Sequence, residues 1–196
     1  MSAGPIEFGV VESDAEREAA VALRANAIAE ARWVNTVEDA QNLARDADDE
    51  GAVLLVARCE GAVVGTLRII HDADRVARIL AEHEVVLPAG GTLVVGRLVV
   101  AKPFRNRSRE VTVGLYAGIV RHALETGAER AVTFVTESAV RFYRLAGFPL
   151  KFIGPPQTVT GAPRRPVLFD EEVFRVFLAL ATDEERAAMP ETTRRP

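Results

Sequence analysis

Apolar residues run almost without interruption along Thr92–Val100, and Arg97 alone breaks the run. Such a β-branched, apolar run is typical of a central strand that is buried on both faces. Pro103 predicts that the strand has ended before it, because proline cannot donate to a strand ladder. Beyond the turn, apolar positions at helical spacing predict a helix from about Arg109 to Thr126, with Gly127 as its C-terminal cap.

The N-terminal third predicts two helices and a hairpin. Ser13 and Glu16 form a capping box that begins a helix ending near Ala31, and Thr36 with Asp39 predicts the start of a second helix. The dipeptide Glu60-Gly61 then separates two apolar runs, which predicts a β-hairpin. Its strands end at about Arg58 and begin again at Ala62–Ile70.

The C-terminal part predicts a last strand pair, Leu150–Ile153 and Arg165–Phe169, joined by a long proline- and glycine-rich loop at Gly154–Arg164. Loops of this length in a compact domain more often have a function than serve only as connections, so this loop is a candidate determinant of substrate specificity. Two short helices are predicted to begin at Asp170 and at Thr182 with Glu185, and a disordered tail at 190–196.

The turn between the central strand and its helix is rich in arginine. Arg105, Arg107 and Arg109 lie where the helix exposes unpaired backbone N–H groups and the positive end of its dipole. This combination predicts an anion-binding turn, with the guanidinium groups adding charge-assisted donors. An anion-free, solvated turn is the alternative.

The strand, turn and helix resemble the GNAT acyltransferase superfamily, whose Pro-x-x-Arg-Gly-x-Gly-x-Gly turn covers the pyrophosphate of an acyl-CoA donor. Pro103 and Arg105 match this motif, whereas Asn106, Ser108 and Glu110 replace its glycines, and Glu110 would repel a bound pyrophosphate. The resemblance implies that backbone groups bind the thioester carbonyl and that the turn binds donor phosphate. The residues so implied are Leu98, Val99 and Val100 for the carbonyl, and Arg105, Asn106, Arg107, Ser108 and Arg109 for phosphate.

A second GNAT pattern is Asn-Glu-x-Ala-x-x-x-Tyr-x-x-x-Gly-Phe, which Thr136–Phe148 reproduces except at Thr136. In the superfamily this tyrosine protonates the leaving thiolate, and its high ordinary pKa suits an acid at neutral pH. The resemblance therefore implies that Tyr143 is the general acid. The alternative is a tyrosine that only packs over the sheet. The base is not identified by the sequence, and its candidates are Glu137, Asp170, Glu171 and an ordered water.

The N-terminal third resembles two GNAT relatives, the acyl-homoserine lactone synthases and the N-acyl amino acid synthases. Matching positions are Arg24, Trp33, Asp46, Asp49, Arg68 and Arg97. The resemblance implies that Arg24, Trp33, Arg68 and Arg97 bind substrate. The alternative is a structural network in which Asp46 and Asp49 neutralise the three arginines. The Glu-x-Ser-Arg motif of those synthases is absent, because the chain has Val94-Val95-Gly96-Arg97 there, which makes lactone chemistry less expected than plain acyl transfer.

Composition sets limits on these hypotheses. The chain has 196 residues, is 48% hydrophobic, carries a net charge of −4 and has one cysteine. These values predict a single globular domain at 1–189, which the resemblance implies is GNAT-like, a cytoplasmic location, and no binding of nucleic acid or membrane. The spacing of the three histidines predicts no metal site.

We therefore expect an α/β GNAT fold with a mixed, largely antiparallel twisted sheet, helices on both faces, and a central strand pair splayed between Thr92–Ala101 and Arg130–Val135. The expected activity is N-acyl transfer from acetyl-CoA, another acyl-CoA or acyl carrier protein to a small-molecule amine. Two alternatives stay open: an enzyme that depends on acyl carrier protein and resembles the N-acyl amino acid or homoserine lactone synthases, and a GNAT-fold protein without acyl transfer that acts as a binding module or does other chemistry. The sequence leaves a homodimer open.

Overall fold

The computed structural model describes residues 4–159 and 162–180 of the chain. The strands are β1 Glu7–Val10, β2 Val53–Cys59, β3 Ala62–Ile70, β4 Thr92–Val100, β5 Arg130–Thr136, β6 Lys151–Phe152, β7 Gln157–Val159 and β8 Ala162–Phe169. The α-helices are α1 Asp14–Glu30, α2 Val37–Ala44, α3 Ala73–Glu82, α4 Ser108–Thr126, α5 Glu137–Ala146 and α6 Glu171–Leu180. None of these described helices combines the length and apolar character that crossing a bilayer requires.

These residues divide into two compact units. The first contains the chain up to Ile70 and Arg97–Gly118, and the second contains His71–Gly96 and the chain from Ile119. Strand β4 and helix α4 each begin in one unit and end in the other.

In the first unit, β1, β2 and β3 form antiparallel ladders, with the predicted turn at Glu60-Gly61 between β2 and β3. Both turn residues have positive φ (51° and 78°), as a two-residue hairpin turn requires. The predicted capping residues Ser13 and Thr36 accept bonds from the backbone of α1 and α2. Helix α1 packs on α2 and on β3, so one face of α1 lies against the hairpin.

In the second unit, β4 pairs in parallel with β5, and β5 pairs antiparallel with β8. Strands β6 and β7 both add to β8. Helices α5 and α6 pack on these strands, where the Tyr143 and Phe177 rings each meet Phe148 edge-on. The described sheet is therefore mixed and largely antiparallel, which confirms the predicted fold class.

Strand β4 departs from the prediction in its second half. Val94 and Val95 are buried, but every residue from Gly96 to Val100 is partly exposed, so burial on both faces holds only for the first half. The ladder with β5 covers three residue pairs, Thr92 to Val94 on β4. Arg97 follows with φ of 56°, a left-handed backbone conformation that interrupts a regular strand.

The proline- and glycine-rich segment Gly154–Arg164 also differs from the predicted loop. Its residues Gln157–Val159 form β7, which pairs with the start of β8. Backbone pairing therefore joins Gln157–Val159 to the start of β8, and among the described residues of this segment only those at 154–156 are irregular. The predicted helix at Thr182 with Glu185 and the tail at 190–196 lie outside the described residues.

Candidate functional site

Three arginines that the sequence singled out meet two carboxylates in the first unit. Arg24 Nη1 lies 2.6 Å from Asp49 Oδ2, and Arg97 Nη2 lies 2.6 Å from Asp46 Oδ2. Arg68 Nη1 contacts both carboxylates, Asp46 at 2.9 Å and Asp49 at 3.2 Å. We call these five residues the arginine cluster.

The local sequence explains why these side chains converge. Arg24 lies on the buried face of α1, and Arg68 lies in the buried part of β3, the strand on which α1 packs. Asp46 caps the short 3₁₀ helix Ala47–Asp49 by accepting the Asp48 N–H at 2.9 Å. That helix therefore holds both carboxylates at its ends and directs them toward the arginines.

The cluster is deeply buried and has one more positive than negative charge. The Arg24 side chain is 1% exposed. Its burial lowers its pKa from the ordinary value, and Asp49 acts in the opposite direction. Burial would raise the pKa of Asp46, but Arg68 and the hydrogen bond from Arg97 lower it well below its ordinary value.

The extra charge is accompanied by unused donors. Nε and Nη2 of Arg24 and Nε of Arg68 are buried without a hydrogen-bond partner among the described residues, and so is the hydroxyl of Thr66. Thr66 and Arg68 are two positions apart on β3 and so share one face of the strand. Buried polar groups are almost always paired, so this set of donors fits an additional anionic or polar acceptor group.

A cavity of about 360 Å³ lies in the same unit, and none of the five cluster residues is among its described lining residues. It is formed by one face of α1, the end of β4 and the turn that follows. Its lining residues are Leu23, Asn26, Ala27, Ala29, Glu30, Val99, Val100, Ala101, Lys102, Pro103 and Arg105. Val99, Val100 and Arg105 were singled out by the sequence. The sequence did not single out the α1 residues of this lining. Their spacing of three or four positions places Leu23, Asn26, Ala27 and Glu30 on one face of a helix, and this signal could have identified α1 as a wall of the cavity.

The arginine-rich turn is a 3₁₀ helix, Lys102–Arg107, that leads directly into α4. Its hydrogen bonds use backbone groups that a phosphate-binding loop would leave open, for example Phe104 N–H to Ala101 O at 2.8 Å. Ser108 also donates through its hydroxyl to Arg105 O, at 2.5 Å.

Two arginines of the turn are already in ion pairs. Arg105 pairs with Glu30 of α1. Arg107 binds both carboxylate oxygens of Glu110, at 2.6 and 2.8 Å, and also donates to Gly4 O. Glu110 is therefore turned toward Arg107. Asn106 and Arg109 are exposed.

Tyr143 and Glu137 lie on α5, in the second unit. Tyr143 is 4% exposed, and its ring meets that of Phe148 edge-on with centroids 5.8 Å apart. Glu137 is the exposed first residue of the helix. Their catalytic roles stay predictions.

The two other candidate bases, Asp170 and Glu171, each form an ion pair with a basic side chain. Asp170 binds Lys151 at 2.8 Å and accepts the Val173 N–H at the start of α6. Burial would raise the pKa of Asp170, but Lys151 lowers it below the ordinary value, which makes it a weaker base. Glu171 pairs with Arg175 one turn along the helix.

Trp33 lies just beyond α1 and is 39% exposed, and its role as a substrate contact also stays a prediction.

A larger cavity, about 600 Å³, lies in the second unit between α3 and the start of β4. His71 is the one ionisable side chain among its described lining residues, so we take the smaller cavity as the candidate site. No three His, Cys, Asp or Glu residues in the described part of the chain are grouped as metal ligands.

Comparisons with known proteins agree with the fold. The profile of the N-acyl amino acid synthase FeeM family matches residues 19–169. The structure of FeeM, an N-acyl amino acid synthase from uncultured soil microbes, aligns with a TM-score of 0.65 and 18% identity over 88% of this chain and 93% of that one. No curated protein sequence matches the chain significantly.

Two further structures share the fold. The CoA-dependent acyl-homoserine lactone synthase BjaI, in complex with SAM and isopentyl-CoA, aligns with a TM-score of 0.67 and 18% identity over 95% of this chain and 91% of that one. Escherichia coli ElaA aligns with a TM-score of 0.60 and 14% identity over 85% of this chain and 100% of that one. These alignments confirm the predicted GNAT-like acyltransferase fold.

Proposed function

This chain belongs to the N-acyl amino acid synthase FeeM family, and we propose that it transfers an acyl group from acyl carrier protein to the amino group of an amino acid. Membership of the family makes the protein an N-acyltransferase. The donor and the class of acceptor are supported by two separate features of the first unit.

The arginine cluster supports an acceptor that carries a carboxylate. Its three arginines face two aspartates, and Arg24 keeps two buried nitrogen atoms without a partner among the described residues. A carboxylate would neutralise the remaining positive charge and accept from those nitrogens, with the planar, two-oxygen geometry that guanidinium groups favour. This observation carries the proposal, and Arg24, Arg68 and Arg97 are the acceptor-binding residues in it.

The turn after β4 supports a donor without a pyrophosphate. Carrier protein presents its acyl group on phosphopantetheine, which has one phosphodiester, whereas CoA adds a pyrophosphate and an adenosine. The turn lacks the motif's glycines, its backbone is engaged in a 3₁₀ helix, and Arg105 and Arg107 are paired with Glu30 and Glu110. One phosphate requires fewer donors than a pyrophosphate, and exposed Arg109 supplies a further charge.

In the proposed reaction the neutral amine attacks the thioester carbonyl carbon, the carbonyl oxygen becomes an oxyanion, and the C–S bond breaks to release the amide and a thiolate. Backbone N–H groups at Leu98, Val99 and Val100 stabilise the oxyanion. Tyr143 donates the proton that the thiolate takes up, and a base such as Glu137 or a water molecule removes the proton from the amine.

The test is an assay of purified protein with dodecanoyl-acyl carrier protein or dodecanoyl-CoA and a mixture of the twenty L-amino acids. Mass spectrometry of the products should detect N-dodecanoyl amino acids, formed with a higher kcat/KM from the carrier protein than from CoA. A preference for CoA would contradict the proposed donor. Acylation of none of the amino acids from either donor would contradict the proposed acceptor.

A further inference from the structure

Arg97 has an unusual backbone for a residue inside a strand. Its φ of 56° lies in the left-handed region, which a residue with a Cβ adopts only where its surroundings hold it. Contacts of its own side chain and hydrogen bonds of the neighbouring strand are the interactions that can hold Arg97 in this conformation.

Asp46 supplies that contact. Its Oδ2 lies 2.6 Å from Arg97 Nη2, with the two side chains 20% and 16% exposed. Asp46 is itself fixed, because it also binds Arg68 at 2.9 Å and accepts the Asp48 N–H at 2.9 Å. A carboxylate held from two other directions can act as a rigid anchor for the arginine.

The conformation of Arg97 affects the backbone that follows it in β4. The peptide groups that follow it belong to Leu98, Val99 and Val100, and their orientation depends on the dihedral angles of Arg97. The next N–H group, of Ala101, donates to Val64 O at 2.8 Å. The ladder of β4 with β5 ends at Val94, so the N–H groups of Leu98, Val99 and Val100 on that side of the strand are outside the ladder and are the candidate donors to a ligand.

We propose that Asp46 is a positioning residue: by clamping Arg97 in its left-handed conformation, it aims the backbone N–H groups of β4 at the thioester carbonyl. This inference rests on the proposed function, in which those groups stabilise the oxyanion. Asp46 then influences the binding of both substrates, because it belongs to the cluster that binds the acceptor and it fixes the strand that binds the donor.

The test compares glycine with alanine at position 97, because glycine adopts positive φ without strain and alanine does not. Both Arg97→Gly and Arg97→Ala remove the guanidinium, so both raise the KM for the acceptor amino acid. Only Arg97→Gly can adopt the left-handed strand geometry without strain, so its kcat should exceed that of Arg97→Ala about tenfold. Its Tm should also be higher, by about 2–4 °C.

A double-mutant cycle isolates Asp46. Asp46→Asn should lower kcat about tenfold in the chain with Arg97, and by less than about twofold in the Arg97→Gly background, where no clamp is needed. Hydrogen exchange without substrate gives a second measurement: Asp46→Asn should speed exchange at 97–100 only when Arg97 is present. If acylation fails in every variant but this exchange pattern is found, the clamp stands and the proposed function falls.

Two outcomes would overturn the inference. One is an equal kcat and an equal Tm for the glycine and alanine variants. The other is an Asp46→Asn effect on exchange at 97–100 of the same size in both backgrounds.

Discussion

The arginine cluster has three positive and two negative charges, so we expect the loss of Asp49 to lower the free energy of unfolding more than the loss of Arg68. Asp49 is the one anionic partner of Arg24 among the described residues, and the Arg24 side chain is 1% exposed. Asp49→Asn keeps the side-chain shape but leaves a buried guanidinium without an opposite charge. Breaking a buried ion pair in this way costs about 3–5 kcal/mol.

Arg68→Met removes a cation from the same cluster with a different result. Asp46 keeps Arg97 at 2.6 Å and Asp49 keeps Arg24 at 2.6 Å, so neither carboxylate is left alone. The cluster becomes neutral, and methionine replaces much of the apolar stem. We expect a loss below about 2 kcal/mol, because exchanging a buried ion for an apolar group of similar volume is often nearly neutral when no charge is stranded.

Urea unfolding at pH 7, followed by circular dichroism, measures both free energies on the same scale. For function we expect the opposite order: Arg68→Met, the variant that is less destabilised, should raise the acceptor KM more. Arg68→Met removes a donor to the acceptor carboxylate, and charged hydrogen bonds of about 1.5–3 kcal/mol correspond to a roughly 10- to 100-fold rise in the acceptor KM. An Arg68→Met protein that is destabilised as much as Asp49→Asn, with an unchanged acceptor KM, would refute this reasoning and make the cluster purely structural.

Three further predictions concern other parts of the molecule. Tyr143→Phe keeps the ring contacts and should lower kcat about 10²-fold with little change in Tm; wild-type kcat would make Tyr143 a packing residue. Arg58 lowers the pKa of Glu16 from 4.5 to about 2, so this pair stabilises the fold above about pH 4.5 and loses that effect as the pH falls toward 2. Glu16→Gln should therefore flatten the acid part of the curve of unfolding free energy against pH, and an unchanged curve would contradict the role of this pair. Glu110→Gly releases Arg107 from its ion pair and should strengthen CoA binding in calorimetry; weaker or unchanged binding would contradict our interpretation of the turn.

The sequence predicted most of the regular elements where local signals were strong, but it did not predict β1, α3 or β7. The caps Ser13 and Thr36 and the turn Glu60-Gly61 each fix a boundary through backbone hydrogen bonds or positive φ, and the structure has these boundaries. Long apolar runs similarly fixed β3 and β4. The fold class followed from the order of these elements and from the GNAT resemblance.

The sequence did not predict which aspartate pairs with which arginine. It named the three arginines and two aspartates, but only the structure shows that Asp46 binds both Arg68 and Arg97. Because of this sharing, losing Arg68 leaves neither carboxylate without an arginine. It also missed the left-handed backbone of Arg97, because nothing in a β-branched run signals positive φ at a residue other than glycine or asparagine.

The arginine-rich turn shows a similar limit. Arg105 and Arg107 were predicted to be anion donors from their position, and the ion pair between Arg105 and Glu30 depends on a residue 75 positions away in the chain. A pairing of that range depends on the tertiary fold, in which α1 and the end of β4 line the same cavity. No local pattern encodes it.

The most direct test of the central claim compares acceptors with and without a carboxylate. The purified protein is given dodecanoyl-acyl carrier protein with either a set of L-amino acids or the amines that remain when each loses its carboxylate, and mass spectrometry follows the N-dodecanoyl products. The proposed function predicts acylation of at least one amino acid, with a kcat/KM at least about 10-fold above that of its own amine. Equal acylation of the amino acids and the matching amines would contradict a role for the arginine cluster in binding the acceptor.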